Sequence, residues 1–119
     1  ETYREKLNIR CYSINQRILN LSGGNQQKVI LARSLAEDCT VLLLSEPTRG
    51  VDVGAKAEIY ALIDSLVDSG MAVILQSSEL NEFIRLANRV LIFSSGQVKG
   101  ELTGEEITEE SMMALATRV

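Results

Sequence analysis

The sequence predicts an α/β fold built on a mostly parallel sheet. Three short apolar runs, Val41–Leu44, Ala72–Leu75 and Val90–Phe93, alternate with segments whose apolar residues recur at helical spacing. Apolar runs of this length between polar flanks are typical of strands that are buried on both faces of a parallel sheet. Strands that alternate with helices form βαβ units with right-handed crossovers. With 119 residues the chain has room for one domain or for part of a larger one.

Composition and charge exclude several classes of function. The net charge is −4 and residues of both signs are interspersed, so we expect no basic surface for nucleic acid. No apolar run approaches the roughly 20 residues that span a bilayer, and the N-terminus is too polar for a secretory signal. Cys11 and Cys39 lie far apart and the chain has no histidine, which excludes zinc sites and Cys/His catalysis. We therefore expect a cytoplasmic protein with two reduced thiols.

The N-terminal part predicts one irregular segment and one helix. Residues 1–20 have weak periodicity, so we expect a short helix or an irregular lead-in, with Ser13 as an N-cap before Ile14. The next segment, from about Gly24 to Glu37, is apolar on most sides. That pattern predicts a helix buried between layers.

The C-terminal part continues the alternation of helices and strands. Helical spacing of the apolar residues predicts a helix from about Gly54 to Asp68, with Gly70 as its stop. Downstream of it the sequence predicts, in order, a short helix (Glu79–Ala87), a turn (Ser95-Gly96), a strand (Gln97–Leu102) and a helical tail (Gly104–Val119).

The stretch Ser22-Gly23-Gly24 is the first candidate site. Ser22 can sit at the N-cap and accept a hydrogen bond from the first turn, and the two glycines have no side chain to block an approaching group. Bare amides at a positive helix end favour an anion such as phosphate, and the serine hydroxyl adds another donor. An ordinary capped helix is the alternative interpretation, because short glycine motifs also occur by chance.

The second candidate site follows the strand Val41–Leu44, because chemistry in open α/β sheets lies at the carboxyl ends of the strands. Proteins with a phosphate-binding P-loop usually carry an aspartate here that helps to hold Mg²⁺, whereas this chain has Ser45. Glu46 would project from the strand end, where a carboxylate can polarise an attacking water. The alternatives are a solvated loop acid for Glu46 and a helix N-cap for Asp52.

Taken as an ordered series, these motifs resemble the ATP-binding cassette (ABC) ATPases. Leu21–Lys28, Val41–Thr48 and Arg49–Lys56 look like the C-terminal cassette of the tandem monosaccharide-importer branch. The resemblance implies part of a three-layer fold similar to P-loop NTPases. Within that one domain we expect a signature-helix region (1–38), a core from the Walker B strand to the switch strand (39–103) and a helical tail (104–119).

The resemblance also implies roles for individual residues. Glu46, at the end of the Walker B strand, would be the water-polarising base. Asp52 would belong to the D-loop, and Ser78 would occupy the switch position after the next strand. The signature loop, which contacts ATP held by another cassette, would consist of Ser22, Gly23, Gly24 and Gln26.

Two departures from the family pattern concern the chain's own ATP site. The sequence contains no GxxxxGK[ST] stretch, so the Walker A loop is expected upstream of Leu21 and the chain resembles about half a cassette. Ser45 replaces the magnesium-side aspartate, so no metal ligand is assigned. The resemblance therefore implies that ATP and Mg²⁺ are bound only together with a partner cassette, and that the chain does not hydrolyse ATP alone.

The resemblance finally implies the partners. We expect a second ABC cassette, a membrane permease and, indirectly, a periplasmic sugar-binding protein, with the chain peripheral on the inner face of the cell membrane. Three alternatives stay open. They are a catalytically inactive interaction module, the remnant of a degraded reading frame, and a non-transport ABC ATPase such as a ribosome-associated translation factor.

Overall fold

The computed structural model describes residues 1–118, which form two compact units that divide after Gln76. The first unit contains α1 (Thr2–Lys6), a 3₁₀ turn (Ile18–Asn20), α2 (Gly23–Leu35), β1 (Val41–Ser45), α3 (Val53–Asp68) and β2 (Ala72–Gln76). The second unit contains α4 (Leu80–Leu86), β3 (Arg89–Ser94), β4 (Gln97–Thr103), a 3₁₀ turn (Gly104–Glu106) and α5 (Glu109–Ala116).

The first unit is a β–α–β arrangement, which confirms the predicted α/β class and its parallel sheet. β1 and β2 pair in parallel from Val41 opposite Ala72 to Ser45 opposite Gln76, and α3 connects them. α3 ends as predicted, because Gly70 adopts a φ of 100° just beyond the helix, a conformation that glycine reaches without strain. The core of this unit gathers side chains from α1, α2 and both strands around four buried residues: Leu7, Leu31, Ala32 and Leu42.

The prediction that the strands are buried on both faces is wrong for the described residues. Along β1, Leu42 is 4% exposed, whereas its neighbours Val41 and Leu43 are 50% and 72% exposed. Ile74 of β2 is also exposed. The helices of the first unit cover one face of the strand pair, so side chains that point to the other face stay accessible. The prediction that α2 is buried between layers is wrong for the same reason, since Leu31 is buried and Ile30 is exposed.

The second unit is a helix-covered β-hairpin. β3 and β4 pair antiparallel, and the predicted turn Ser95-Gly96 joins them with positive φ at both residues, as a type I′ hairpin turn requires. Thr108 caps α5, because its hydroxyl accepts from the amide of Ser111. The predicted tail ends at Val119, which lies outside the described residues. The core of the second unit is formed by Val90, Ile92, Ile107 and Met112.

The lead-in to α2 differs from the expectation at Ser13. Its hydroxyl accepts from the amide of Asn15 in a local turn, and no helix follows. Serine side chains compete with helical hydrogen bonding in this way, which explains why the predicted N-cap is wrong here. Tyr12 and Ile14 beside it are exposed. Within residues 1–118 no helix combines the length and apolar character needed to cross a membrane.

Candidate functional site

Ser22 caps α2, as the sequence predicts. Its backbone is extended, with φ −61° and ψ 158°, and α2 begins at the next residue. The Ser22 Oγ accepts from the backbone amide of Asn25 at 3.4 Å and from its side-chain amide at 2.8 Å. Ser22 and Gly23 are exposed, and Gly24 is buried. The tip of this turn is therefore open, and its second glycine is packed against protein.

The two glycines allow α2 to begin in contact with the segment that starts α3. A Cβ atom on Gly23 would lie 2.9 Å from the carbonyl oxygen of Gly50, and one on Gly24 would lie 2.6 Å from the Cβ of Ala55. Both distances are shorter than side-chain carbons tolerate, so any larger residue would push the two segments apart. Sequence reasoning assigned these glycines to ligand access alone and missed this packing role.

Asp52 caps α3 in the same way that Ser22 caps α2. Its Oδ1 accepts from the amide of Ala55 at 2.9 Å, which is the N-cap alternative that the sequence left open. Gln26 is also engaged locally, since its side-chain amide donates to the carbonyl of Leu21 at 3.0 Å. Gln26 therefore fixes the approach to the turn.

A cavity of about 260 Å³ lies between the first turns of α2 and α3. Its lining is polar and carries both signs of charge, from Arg10, Lys28, Asp52 and Glu58. Ser22 opens onto the same cavity. The structure thus brings Ser22, Gly24 and Asp52 together at one place.

The sequence did not predict a role for three charged residues that line this cavity, Arg10, Lys28 and Glu58. Lys28 is buried, with its side chain 5% exposed, and it donates to the carbonyl of Asn8 at 3.1 Å and to the Glu58 carboxylate. Arg10 lies 3.8 Å from the other oxygen of Glu58. The hydrogen bond from Lys28 and its charge lower the pKa of Glu58 below its ordinary value, against the opposing effect of burial. The signal available in the sequence was a lysine on the same helix face as Gly24 and the apolar residues Leu31 and Ala32.

Glu46 belongs to a separate group at the carboxyl end of the strand pair. Its backbone has a φ of 48°, in the left-handed region, and its amide donates to the carbonyl of Gln76 at 2.8 Å. The Ser45 hydroxyl donates to the side-chain oxygen of Gln76 at 2.6 Å, and the amide nitrogen of Gln76 lies 3.5 Å from Glu46 Oε1. Gln76 thus lies between the other two side chains.

This group does not fit a magnesium site of the ordinary kind. Mg²⁺ usually relies on one or two carboxylates together with phosphate oxygens, and here the aspartate position holds Ser45, whose hydroxyl is bonded to Gln76. Among residues 1–118 no cluster of three or more acidic, cysteine or histidine side chains is placed to hold a metal ion. Ser78, the predicted switch residue, follows β2 as an exposed residue of the second unit.

Comparison with known sequences identifies relatives over nearly the whole chain. Residues 2–49 match the ABC transporter family. The chain is 51% identical over 117 residues to the xylose import ATP-binding protein XylG of Moorella thermoacetica, a match that covers 98% of this chain and 23% of that protein. It is 54% identical over 113 residues to the ribose import ATP-binding protein RbsA 2 of Rubrobacter xylanophilus, covering 95% and 22%. The chain therefore spans about a quarter of the length of these curated relatives.

Comparison with solved structures identifies the same fold. An ATP-binding cassette of an ABC transporter in its ADP conformation superimposes with a TM-score of 0.81 at 20% identity, over 96% of this chain and 46% of that one. A dimeric cassette in a post-hydrolysis state with ADP and phosphate gives a TM-score of 0.72 at 24% identity, over 86% and 44%. The fold is that of part of a nucleotide-binding cassette.

Proposed function

We propose that this chain, which belongs to the ABC family, is part of an ATP-binding protein of a sugar importer and that its Ser22–Gly24 turn completes an ATP site on a second cassette. The turn supplies hydrogen-bond donors to the terminal phosphate of ATP that the other cassette holds. Docking of the two cassettes then closes the site for hydrolysis. The energy released drives import of a monosaccharide through a permease.

The Ser22 hydroxyl is the observation that carries this proposal. A serine hydroxyl has two acceptor positions and one donor, and both acceptor positions here are directed at Asn25. Among the described residues its hydrogen has no acceptor, and the residue is exposed. The backbone amides of Gly23 and Gly24 precede the first intrahelical hydrogen bond of α2, which Gln26 donates to the carbonyl of Ser22, so they have no partner within the helix. These oriented donors at a positive helix end suit the charge that develops on a phosphoryl group.

The chain's own strand end supports a division of labour between two cassettes. The sequence has no GxxxxGK[ST] stretch, and position 45 holds a serine that donates a hydrogen bond to Gln76 instead of a carboxylate. Phosphoryl transfer depends on positioning and neutralising the phosphates, which Glu46 alone does not do. We therefore assign the nucleotide and its Mg²⁺ to the partner cassette. In this chain's own site Glu46 would be the water-polarising base, with Asp52 in the D-loop and Ser78 at the switch position.

The partners follow from the same premise. The second cassette binds the face that carries Ser22, and a membrane permease holds both cassettes at the inner face of the membrane. A periplasmic sugar-binding protein acts indirectly, by delivering the sugar to the permease. The chain would then work as a cytoplasmic, peripheral subunit.

The test is the Ser22→Arg variant in the reconstituted transporter. A bulky cation at the N-cap blocks the turn and removes its hydroxyl, so we expect sugar-stimulated ATP hydrolysis to be abolished. Ser65→Arg is the matched control, because Ser65 is exposed on α3, far along the helix from its first turn. Unchanged hydrolysis by a folded and assembled Ser22→Arg protein would refute the proposal.

The hydrogen bond between Ser45 and Gln76 favours one second candidate, because it occupies the position of the magnesium-side aspartate. That candidate is a catalytically inactive interaction module that docks on related transporters. Both candidates predict that the chain binds a cassette. They differ in the Ser22→Arg result, because an interaction module that only occupies the interface would lower hydrolysis by its partner, and the variant would relieve that inhibition.

A further inference from the structure

The first turns of α2 and α3 are held together at two levels. At the first level Gly24 packs against Ala55 and Gly23 against the carbonyl of Gly50. At the second level, one helical turn further on, Lys28 of α2 bonds Glu58 of α3. Residues four or three positions apart lie on the same face of a helix, so the ion pair stands directly behind the glycine contact.

The ion pair between Lys28 and Glu58 adds an electrostatic contact to the glycine packing between α2 and α3. The Lys28 ammonium is removed from water, and a buried charge is tolerated only when it is paired and hydrogen-bonded. Glu58 supplies the countercharge, and the carbonyl of Asn8 accepts another of its hydrogens. Lys28 therefore has little freedom to leave its place while α2 and α3 stay together.

A third segment is tied to the same two helices. The backbone amide of Arg10 donates to the side-chain oxygen of Asn25 at 2.8 Å, and the guanidinium of Arg10 lies 3.8 Å from Glu58. Asn25 is also the residue whose amides bond the Ser22 hydroxyl. Hydrogen bonds and ion pairs thus link the segment before α2, the Ser22–Gly24 turn and α3.

We propose that Lys28 and Glu58 are positioning residues that fix the distance between the Ser22 turn and the Asp52 loop, so that both contact a partner cassette at the same time. The inference rests on the function proposed above and adds a residue pair to it. Lys28 and Glu58 do not touch the nucleotide. They act through the start of each helix, by keeping the two capped ends in register.

The experiment compares Lys28→Met and Glu58→Gln in the reconstituted transporter with Lys99→Met, a matched change on β4 in the second unit. Because ATP is held by the partner cassette, we expect Lys28→Met to lower kcat by about ten-fold with KM for ATP changed less than about two-fold. Glu58→Gln keeps an acceptor for Lys28 but no charge, so its expected loss is about three-fold. Lys99→Met should leave both constants as in the unchanged protein.

A second measurement needs no partner. In the 119-residue chain we expect Lys28→Met to speed hydrogen exchange together at the amides of Asn25 and Ala55, the two N–H groups that bond the caps, by about ten-fold each. Exchange that changes at one amide only, or at neither, overturns the proposal, as does a kcat of Glu58→Gln equal to that of the unchanged protein. If Ser22→Arg abolishes hydrolysis while both pair variants retain it, the pair has no positioning role and the proposed function survives. If Ser22→Arg has no effect, the proposed function itself fails.

Discussion

The hydroxyl of Ser45 donates to the side-chain oxygen of Gln76 across 2.6 Å, at the last paired position of the two parallel strands. The same glutamine turns its amide nitrogen towards Glu46, 3.5 Å away, which is at the long limit of hydrogen bonding. Two uncharged side chains, Ser45 and Gln76, therefore occupy the strand end at which proteins with a P-loop usually carry an aspartate. The hydrogen bond from Ser45 fixes the side-chain amide of Gln76, whose nitrogen then points to the Glu46 carboxylate.

The Ser45–Gln76 bond makes a measurable contribution to stability. We expect Ser45→Ala to lower the free energy of unfolding by about 0.5–1 kcal/mol, because an exposed hydrogen bond is lost and Gln76 can rehydrate. Gln76→Leu should have a similar effect, and the double variant should lose less than the sum of the two. Urea titration followed by circular dichroism measures all three. Strictly additive losses would show that the two side chains are not coupled.

Gly24 should tolerate no side chain. A methyl group on Gly24 would overlap the Cβ of Ala55, so we expect Gly24→Ala to destabilise the chain by about 1–3 kcal/mol. Gly54→Ala is the control, because a Cβ there meets nothing closer than 3.5 Å and alanine favours the helix, so that variant should gain up to about 1 kcal/mol. Thermal unfolding of both variants decides the matter. Equal melting temperatures would contradict the close packing of α2 on α3.

Glu58 should make stability depend on pH. Lys28 lowers the pKa of Glu58 in the folded chain, with a smaller contribution from Arg10 and an opposing one from Asp52. Folding therefore favours the ionised carboxylate, and this stabilisation is complete above the ordinary pKa of 4.5 and disappears as pH falls through the lowered value. We expect the unfolding midpoint of Glu58→Gln to lack this part of the acid dependence. Parallel pH curves for the two proteins would rule the effect out.

The isolated chain should show no ATP turnover. Glu46 has no phosphate-binding loop beside it in this sequence, so a water that it polarises has no positioned phosphorus to attack. Phosphate release from Mg-ATP in the presence of the purified chain measures this, with Glu46→Gln as the control for a contaminating ATPase. Magnesium-dependent turnover that disappears in Glu46→Gln would show that the chain is a catalyst by itself.

Local chemistry made several features predictable from the sequence. Ser22 and Asp52 are short polar residues directly before helical periodicity, and both cap as that position predicts. Gly70 and the Ser95-Gly96 turn were predictable for the same reason, since each marks a backbone conformation that a few residue types favour. These signals depend on neighbours along the chain. They do not depend on how the elements pack.

Features that depend on packing were not predictable. Lys28 and Glu58 are 30 residues apart and Ser45 and Gln76 are 31 apart, so neither pair is visible before the helices and strands are placed. The exposure of Leu43 was missed because an apolar run has the same appearance whether one or two of its faces are covered. Ser13 shows the opposite error, in which a plausible cap is used by a local turn.

The backbone of Glu46 has a consequence for engineering. A glutamate in the left-handed region carries a conformational penalty of about 1–2 kcal/mol that glycine avoids. A laboratory selection for heat resistance alone would therefore tend to enrich Glu46→Gly, and in doing so would erase the carboxylate. At this position, stability would be gained at the expense of the proposed water-polarising carboxylate.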